Sequence, residues 1–397
     1  MRPIMITGAG IVSAIGNDKA ETLAALREER TGIAPLKYLQ TTHKEFPVGE
    51  VKLSDAEMKQ RLGITQEPTT RTVLMGMLAM DEALDEAGLR QKQGLSIALV
   101  SGTTVGGMDK SEQYYLDYLE NDSRNDYIKT HDCGVTTELI ADRYGIFTMV
   151  TTISTACSSA ANAIILGINL IRSGQTEIAV VGGAECITKF HLNGFNSLMI
   201  LDHEQCRPFD ATRAGLNLGE GASYLVLETA ESAQRRGARV IGELRGYGNA
   251  CDAYHQTASS DEGEGAFLAM QKALAVAGLK PSEIDYVNAH GTGTPNNDAS
   301  EGRALMRLFG ETMPQVSSTK GLTGHTTSAS GSVETTICLL AIQHGIIPVN
   351  YGWAHQMEDG ITPATDPTPR RLLRHVMCNS FGFGGNDSSI ILSKHES

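Results

Sequence analysis

Apolar and polar positions along the chain alternate between short β-branched runs and longer stretches of helical period. Residues 3–7 (Pro-Ile-Met-Ile-Thr) are a compact apolar run that predicts a buried strand, followed by a tight turn at Gly8-Ala9-Gly10. Over 71–87, Leu74, Met77, Leu78 and Leu84 share one helical face, and Gly88 is placed to end the helix. Strands are predicted at 96–101, 147–153, 178–181 and 224–227, with a helix rich in Ala and Ile over 158–172.

The second half repeats this order. A helix over 266–277 ends in Ala277-Gly278-Leu279, echoing Ala87-Gly88-Leu89. A strand at 284–288 reaches Gly291-Thr292-Gly293-Thr294, as 96–101 reaches Gly102-Thr103-Thr104. Residues 316–320 (Val-Ser-Ser-Thr-Lys) lead to a helix at 328–344, as 153–157 (Ile-Ser-Thr-Ala-Cys) lead to theirs. Strands at 376–380 and 388–392 enclose a glycine-rich loop. The repeated order predicts an internal duplication with halves 1–235 and 236–397, in an α/β fold of largely parallel sheets covered by helices.

Charge and cysteine usage narrow the function classes. A net charge of −13 over 397 residues argues against a nucleic-acid footprint, while leaving local basic patches open to an acidic partner. The seven cysteines form no C-x-x-C pair, and the histidines show no zinc spacing, so a metal site and a disulfide framework are not expected. The N-terminal segment lacks an apolar signal core, and no run approaches the ~18 apolar residues of a membrane span. A cytoplasmic location fits these features best. The GAGIVSAIG segment misses the G-x-G-x-x-G spacing of a dinucleotide site, because Gly16 lies too far on.

Four segments carry candidate chemistry. In 153–164 (ISTACSSAANAI), Cys157 lies where a strand turns into a helix among small neighbours. Free N–H groups at a helix start favour a thiolate and can bind an oxyanion. The same position suits a buried structural cysteine, and this segment alone leaves both open. His290 ends a strand and enters a Gly-Thr-Gly-Thr turn, on the carboxyl edge where parallel sheets bind ligands. Lys320 and His325 flank a glycine-containing turn that folds one toward the other, and Glu334 in the following helix is placed to neutralise the lysine. Phe381 and Phe383 alternate with glycines in 379–389 (NSFGFGGNDSS), a composition suited to a gate over a pocket.

Together these segments, with RPFDATRAGLNLGEGA at 207–222, resemble the β-ketoacyl-[acyl-carrier-protein] synthases over almost the whole chain. The resemblance implies the thiolase fold, a five-layer α-β-α-β-α sandwich of two duplicated halves. It implies decarboxylative condensation of an acyl thioester held on Cys157 with malonyl-acyl carrier protein. His290 and His325 match the two active-site histidines, Lys320 the neighbouring lysine, Glu334 the acidic helix residue and Phe383 the gate. The backbone N–H groups of Cys157 and Phe383 match the oxyanion hole. No metal or organic cofactor is implied, since phosphopantetheine arrives on the acyl carrier protein. A homodimer is implied, with a ketosynthase/chain-length-factor heterodimer as the alternative. Lys59, Arg61 and Arg71 are candidates for carrier-protein docking.

Competing families fit less well. A chain-length factor lacks the cysteine. A thiolase needs a second cysteine in a Cys-x-Gly setting, and Cys378 is followed by Asn379-Ser380. The initiating synthases pair cysteine with His and Asn. The chain departs from the common pattern at Asn296-Asn297, at Asn386-Asp387 and in the TTSASGS run at 326–332, and the stretch 199–207 is short. These departures point away from a plain housekeeping fatty-acid role and toward a specialised elongation system, aryl polyene or polyketide-like.

Overall fold

A computed structural model describes residues 3–65, 68–91, 94–366 and 372–396. In the first half the chain runs β1 (Ile4–Ser13), α1 (Lys19–Arg27), α2 (Asp55–Leu62), α3 (Arg71–Ala87), β2 (Ile97–Gly102), α4 (Met108–Glu120), α5 (Cys133–Tyr144), β3 (Met149–Ile153), α6 (Ser159–Arg172), β4 (Ile178–Glu185), α7 (Lys189–Ser197), β5 (Gly221–Glu228) and α8 (Ala230–Arg236). It continues through β6 (Gly242–Cys251), α9 (Glu264–Ala277), β7 (Tyr286–Asn288), α10 (Pro295–Phe309), β8 (Gln315–Ser317), α11 (Lys320–Thr323), α12 (Ser330–His344), β9 (His375–Gly382) and β10 (Asn386–Ser393).

Ten strands lie in the order β3-β2-β4-β5-β1-β6-β10-β9-β7-β8. Each side of the β1–β6 junction repeats the other, with β6 standing for β1, β10 for β5, β9 for β4, β7 for β2 and β8 for β3. Helices fill three layers around the two sheet halves. In β5, Ala222, Tyr224 and Val226 pack outward with α3 and α5, while Leu225 and Leu227 face inward to α6 and α12. In β9 and β10, Met377 and Ile391 pack outward with α9 and α10, while Val376, Cys378 and Ile390 face the same central helices. The result is a five-layer sandwich with α6 and α12 in the middle.

Two expectations change. The sheet is not largely parallel: β1 pairs antiparallel with β5 and β6, β10 with β6 and β9, and β4 with β5. Only β2 with β3 and β4, and β7 with β8 and β9, run parallel. β9 and β10 are joined by a short turn, which permits only the antiparallel sense. Gly8-Ala9-Gly10 is also not a turn, since β1 runs through it to Ser13. A Cβ on Gly8 would lie 2.3 Å from the Ala83 carbonyl oxygen of α3, and one on Gly10 2.0 Å from that of Ala79. The second half does the same: Cβ atoms on Gly246 and Gly248 would meet the Ala273 and Ala269 carbonyls of α9 at 2.4 and 2.1 Å. The glycine pairs are the places where an alanine-faced helix lies directly on the strand.

Arg71, a docking candidate, is buried instead. Its Nη2 meets Glu220 Oε1 at 2.5 Å and its Nη1 donates to Asp55 Oδ1 at 2.9 Å, so it is not offered to a partner. Lys59 is half-buried and Arg61 exposed on α2. No helix among the described residues is long and apolar enough to cross a membrane.

Overpacking of a tight contact costs about 1–3 kcal/mol or more. Gly10→Ala and Gly248→Ala are each expected to reach the upper end of that range in chemical denaturation. Gly278→Ala, at a helix end with no atom within 4 Å of its Cβ, should cost only the ~1 kcal/mol of its left-handed backbone.

Candidate active site

β3 delivers the chain to Thr155-Ala156-Cys157 at the start of α6. Ala156 adopts φ 51°, a left-handed conformation that costs a non-glycine residue roughly 1–3 kcal/mol. Local hydrogen bonds hold it there. Ser159 Oγ donates to Ala156 O at 2.6 Å and accepts from the Thr155 N–H at 2.9 Å, and Ser158 Oγ donates to Thr155 O at 2.8 Å. Cys157 follows this reversal and lines a cavity, and small flanking residues make room for its thiol.

The other groups come from the second half. His290 follows β7, where its N–H and that of Gly291 donate to the buried Glu301 carboxylate at 2.9 and 2.7 Å. His325 follows α11 and is fastened through its backbone: its N–H donates to Asn217 O, and its carbonyl accepts from the Gly219 N–H, both at 2.8 Å. Lys320 opens α11. Its Nζ meets Glu334 Oε1 of α12 at 2.5 Å and His290 Nδ1 at 3.4 Å. The lysine therefore leans on His290, not on His325 as the short sequence interval suggested.

Cys157 Sγ and His325 Nε2 stand 3.1 Å apart. The two histidine rings meet edge to face with centroids 5.2 Å apart. The Phe383 N–H faces the sulfur and, with Lys320, favours its charged form. Burial outweighs both and pushes the thiol up to about 11. The backbone N–H groups at the helix start favour a thiolate, but exclusion of water weighs more. Burial, then the Lys320 charge, holds both His290 and His325 well below the usual histidine range. Burial thus disfavours the charged form of all three groups. Burial raises the Glu334 carboxyl to about 7, against the pull of Lys320.

A cavity of about 310 Å³ opens onto these groups, lined by Cys157, His290, His325, Phe195, Met199 and Phe383. Phe381 packs beside His290, with ring centroids 5.8 Å apart. Phe383 stacks on Phe195 of α7 at 5.8 Å. Cys378, rejected as a second catalytic cysteine, lies in the core against α12, away from the cleft. All four sequence segments thus converge on one cavity. Sequence reasoning missed Phe195, Glu301, Asn217 and Ser330. Glu301 lies eleven residues after His290, but nothing along the chain showed that a helix would return it to the His290 backbone.

The layered duplication is the thiolase fold, and it brings a thiol and two imidazoles from opposite halves into one cleft. Among solved structures, the ishigamide ketosynthase/chain length factor matches with TM-score 0.91 and 31% identity, over 100% of both chains. The family described as "Beta-ketoacyl synthase, N-terminal domain" matches residues 1–233, and "Beta-ketoacyl synthase, C-terminal domain" matches 241–353. The chain belongs to the beta-ketoacyl synthase family. Relatives include 3-oxoacyl-[acyl-carrier-protein] synthase 2 of Vibrio harveyi, 32% identical over 99% of each chain. Nodulation protein E of Rhizobium meliloti (strain 1021) is 33% identical over 98% of each.

A thiol raised to about 11 reacts slowly with alkylating agents at neutral pH, because only the thiolate attacks. The iodoacetamide rate at Cys157, followed by mass spectrometry, is expected to rise about tenfold per pH unit and still to be climbing at about pH 9.5. A plateau near neutral pH would instead reveal a preformed thiolate–imidazolium pair.

Proposed function

We propose that Cys157 carries the acyl group in a decarboxylative Claisen condensation with malonyl-acyl carrier protein, giving 3-oxoacyl-acyl carrier protein. The 3.1 Å contact between Cys157 Sγ and His325 Nε2 carries this reading. In the first half-reaction His325 takes the thiol proton, the sulfur attacks the incoming acyl thioester, and the proton returns to the departing carrier thiol. In the second, loss of CO2 from the malonyl group leaves an electron pair as an enolate. The enolate carbon attacks the acyl-Cys157 carbonyl. The N–H groups of Cys157 and Phe383 are the donors for the tetrahedral oxyanion, and Cys157 leaves as thiolate and is reprotonated.

The contact with Lys320 supports a role for His290. An ammonium only donates, so His290 Nδ1 must accept, and the single ring proton of the neutral imidazole resides on Nε2. His290 is therefore a dedicated donor to the enolate oxygen. Glu334 accepts a hydrogen bond from the lysine Nζ at 2.5 Å. None of these steps calls on a metal or a resident organic cofactor; the phosphopantetheine comes with the carrier protein. The seven unpaired cysteines support a cytoplasmic setting.

The chain pathway is read as specialised elongation, supported by the departures at Asn296-Asn297 and Asn386-Asp387. Assembly is read from the β3 edge. β3 ends the strand order, Val150 on it is exposed, and Tyr115, Leu116 and Leu119 of α4 are 62–70% exposed. Exposed apolar side chains and an open strand edge each suit a second subunit of the same fold. Identical subunits would make a homodimer. A chain length factor in the ishigamide structure supports the alternative, in which this chain supplies the cysteine-bearing subunit.

Mass spectrometry after incubation with a panel of acyl carrier-protein thioesters is expected to find the acyl group on Cys157. Cys157→Ala should lose acyl transfer by more than about a thousandfold while retaining its fold. Retained condensation by that variant would sink the assignment. Leu116→Asp with Leu119→Asp is expected to convert a dimer to monomers in light scattering; an unchanged mass would move the interface elsewhere.

A further inference from the structure

The two histidines differ in what holds Nδ1. His290 meets an ammonium, which leaves it one neutral form. His325 Nδ1 meets the Ser330 hydroxyl at 3.0 Å, and a hydroxyl both donates and accepts. Ser330 Oγ in turn lies 3.2 Å from Thr326 Oγ1, and either of these atoms can be the donor. His325, Ser330 and Thr326 are 1–2% exposed, so bulk water does not substitute for a lost partner. Ser330 lies in the TTSASGS run at 326–332, one of the places where the chain departs from the pattern of the family it resembles.

We propose that Ser330 is a positioning residue that keeps both neutral tautomers of His325 accessible by reversing the direction of its hydrogen bond. This rests on the reaction proposed above. In one form the Nδ1–H donates to Ser330 Oγ, whose hydroxyl donates to Thr326, and the bare Nε2 faces the Cys157 thiol as a base. In the other, Thr326 donates to Ser330 and Ser330 donates to Nδ1, so that Nε2–H faces the cavity as a donor to the thioester oxygen. The two forms contain the same atoms. They differ in which ring nitrogen carries the proton and in the direction of two O–H bonds. Acylation draws on the first form and decarboxylation on the second. One residue thus serves two half-reactions because its partner has no fixed polarity, whereas His290 serves one because its partner has.

Losing Ser330 acts unequally on the two forms. Without the hydroxyl, an Nδ1–H would be a buried donor with no acceptor, while an Nε2–H still faces the cavity. Ser330→Ala is therefore expected to leave His325 in the Nε2–H form.

The test combines ring-nitrogen NMR of histidine-labelled protein with separate assays of the half-reactions. The unmodified protein should show averaged Nδ1 and Nε2 signals for His325, and a single Nε2–H form for His290 as internal reference. In Ser330→Ala, His325 should collapse to the Nε2–H form. Self-acylation of Cys157 should fall about tenfold, as loss of one buried hydrogen bond implies, with malonyl decarboxylation changed less than about twofold. Thr326→Val, which keeps Ser330 and removes only the outer hydroxyl, should shift both readouts in the same direction but less; it carries the test if Ser330→Ala fails to fold. A single His325 tautomer in the unmodified protein overturns the proposal, and so does an equal loss of both half-reactions in the variants. If the unmodified protein fails to acylate Cys157 at all, the reaction itself is refuted, while the NMR still decides the tautomer question.

Discussion

The close approach of the two central helices sets the rest of the molecule. A Cβ on Gly331 of α12 would stand 2.5 Å from the Ala161 backbone nitrogen of α6 and 2.8 Å from the Ala161 side chain. Only a glycine lets the helices touch there. Cys157 lies just ahead of Ala161 and His325 just ahead of Gly331, each on the loop that feeds its helix. The 3.1 Å contact between thiol and imidazole is a consequence of that helix contact, because neither half of the protein holds both groups. The small residues around Cys157 and through TTSASGS therefore serve packing as much as access. A bulky side chain at this junction would separate the halves of the site before it touched a substrate.

Burial is the second determinant, and it works against charge. At the start of α6 the dipole, the Phe383 N–H and Lys320 all favour a thiolate, yet desolvation leaves the thiol neutral. The same desolvation discharges both histidines. A neutral imidazole has one donor and one acceptor, so the residue behind each ring decides its function. The buried Lys320–Glu334 pair is a weak source of stability, given what it costs to remove both charges from water. Glu334 Oε2 has no hydrogen-bond partner among the described residues. The value of the pair lies in direction: it holds an ammonium against His290 and makes that histidine a donor.

Much of the fold was legible in the sequence where side chains carry a period. α3 and α9, with their glycine ends, fall where the apolar spacing places them. β6 was missed for an identifiable reason. Its buried positions alternate as Gly242, Leu244, Gly246, Gly248 and Ala250, so the strand period is written in missing side chains. The same absence made Gly8-Ala9-Gly10 look like a turn. A glycine records that something comes close, and it does not say what. Arg71 failed in the opposite direction: a cation followed by polar Thr72 looks surface-bound until Glu220, far along the chain, is brought beneath it.

By itself the sequence determined which reactive side chains exist, their order, and the local turns that present them, because these depend on residue type and near neighbours. That Cys157, His290, Lys320, His325 and Phe383 share one site was what the family resemblance implied. Tertiary structure decided which histidine the lysine touches, that the thiol rests neutral, and that Ser330 stands behind His325. The first two depend on desolvation and on contacts between segments 30 to 168 residues apart, which no single stretch of the chain records, and the third on how the turn from His325 to Ser330 closes.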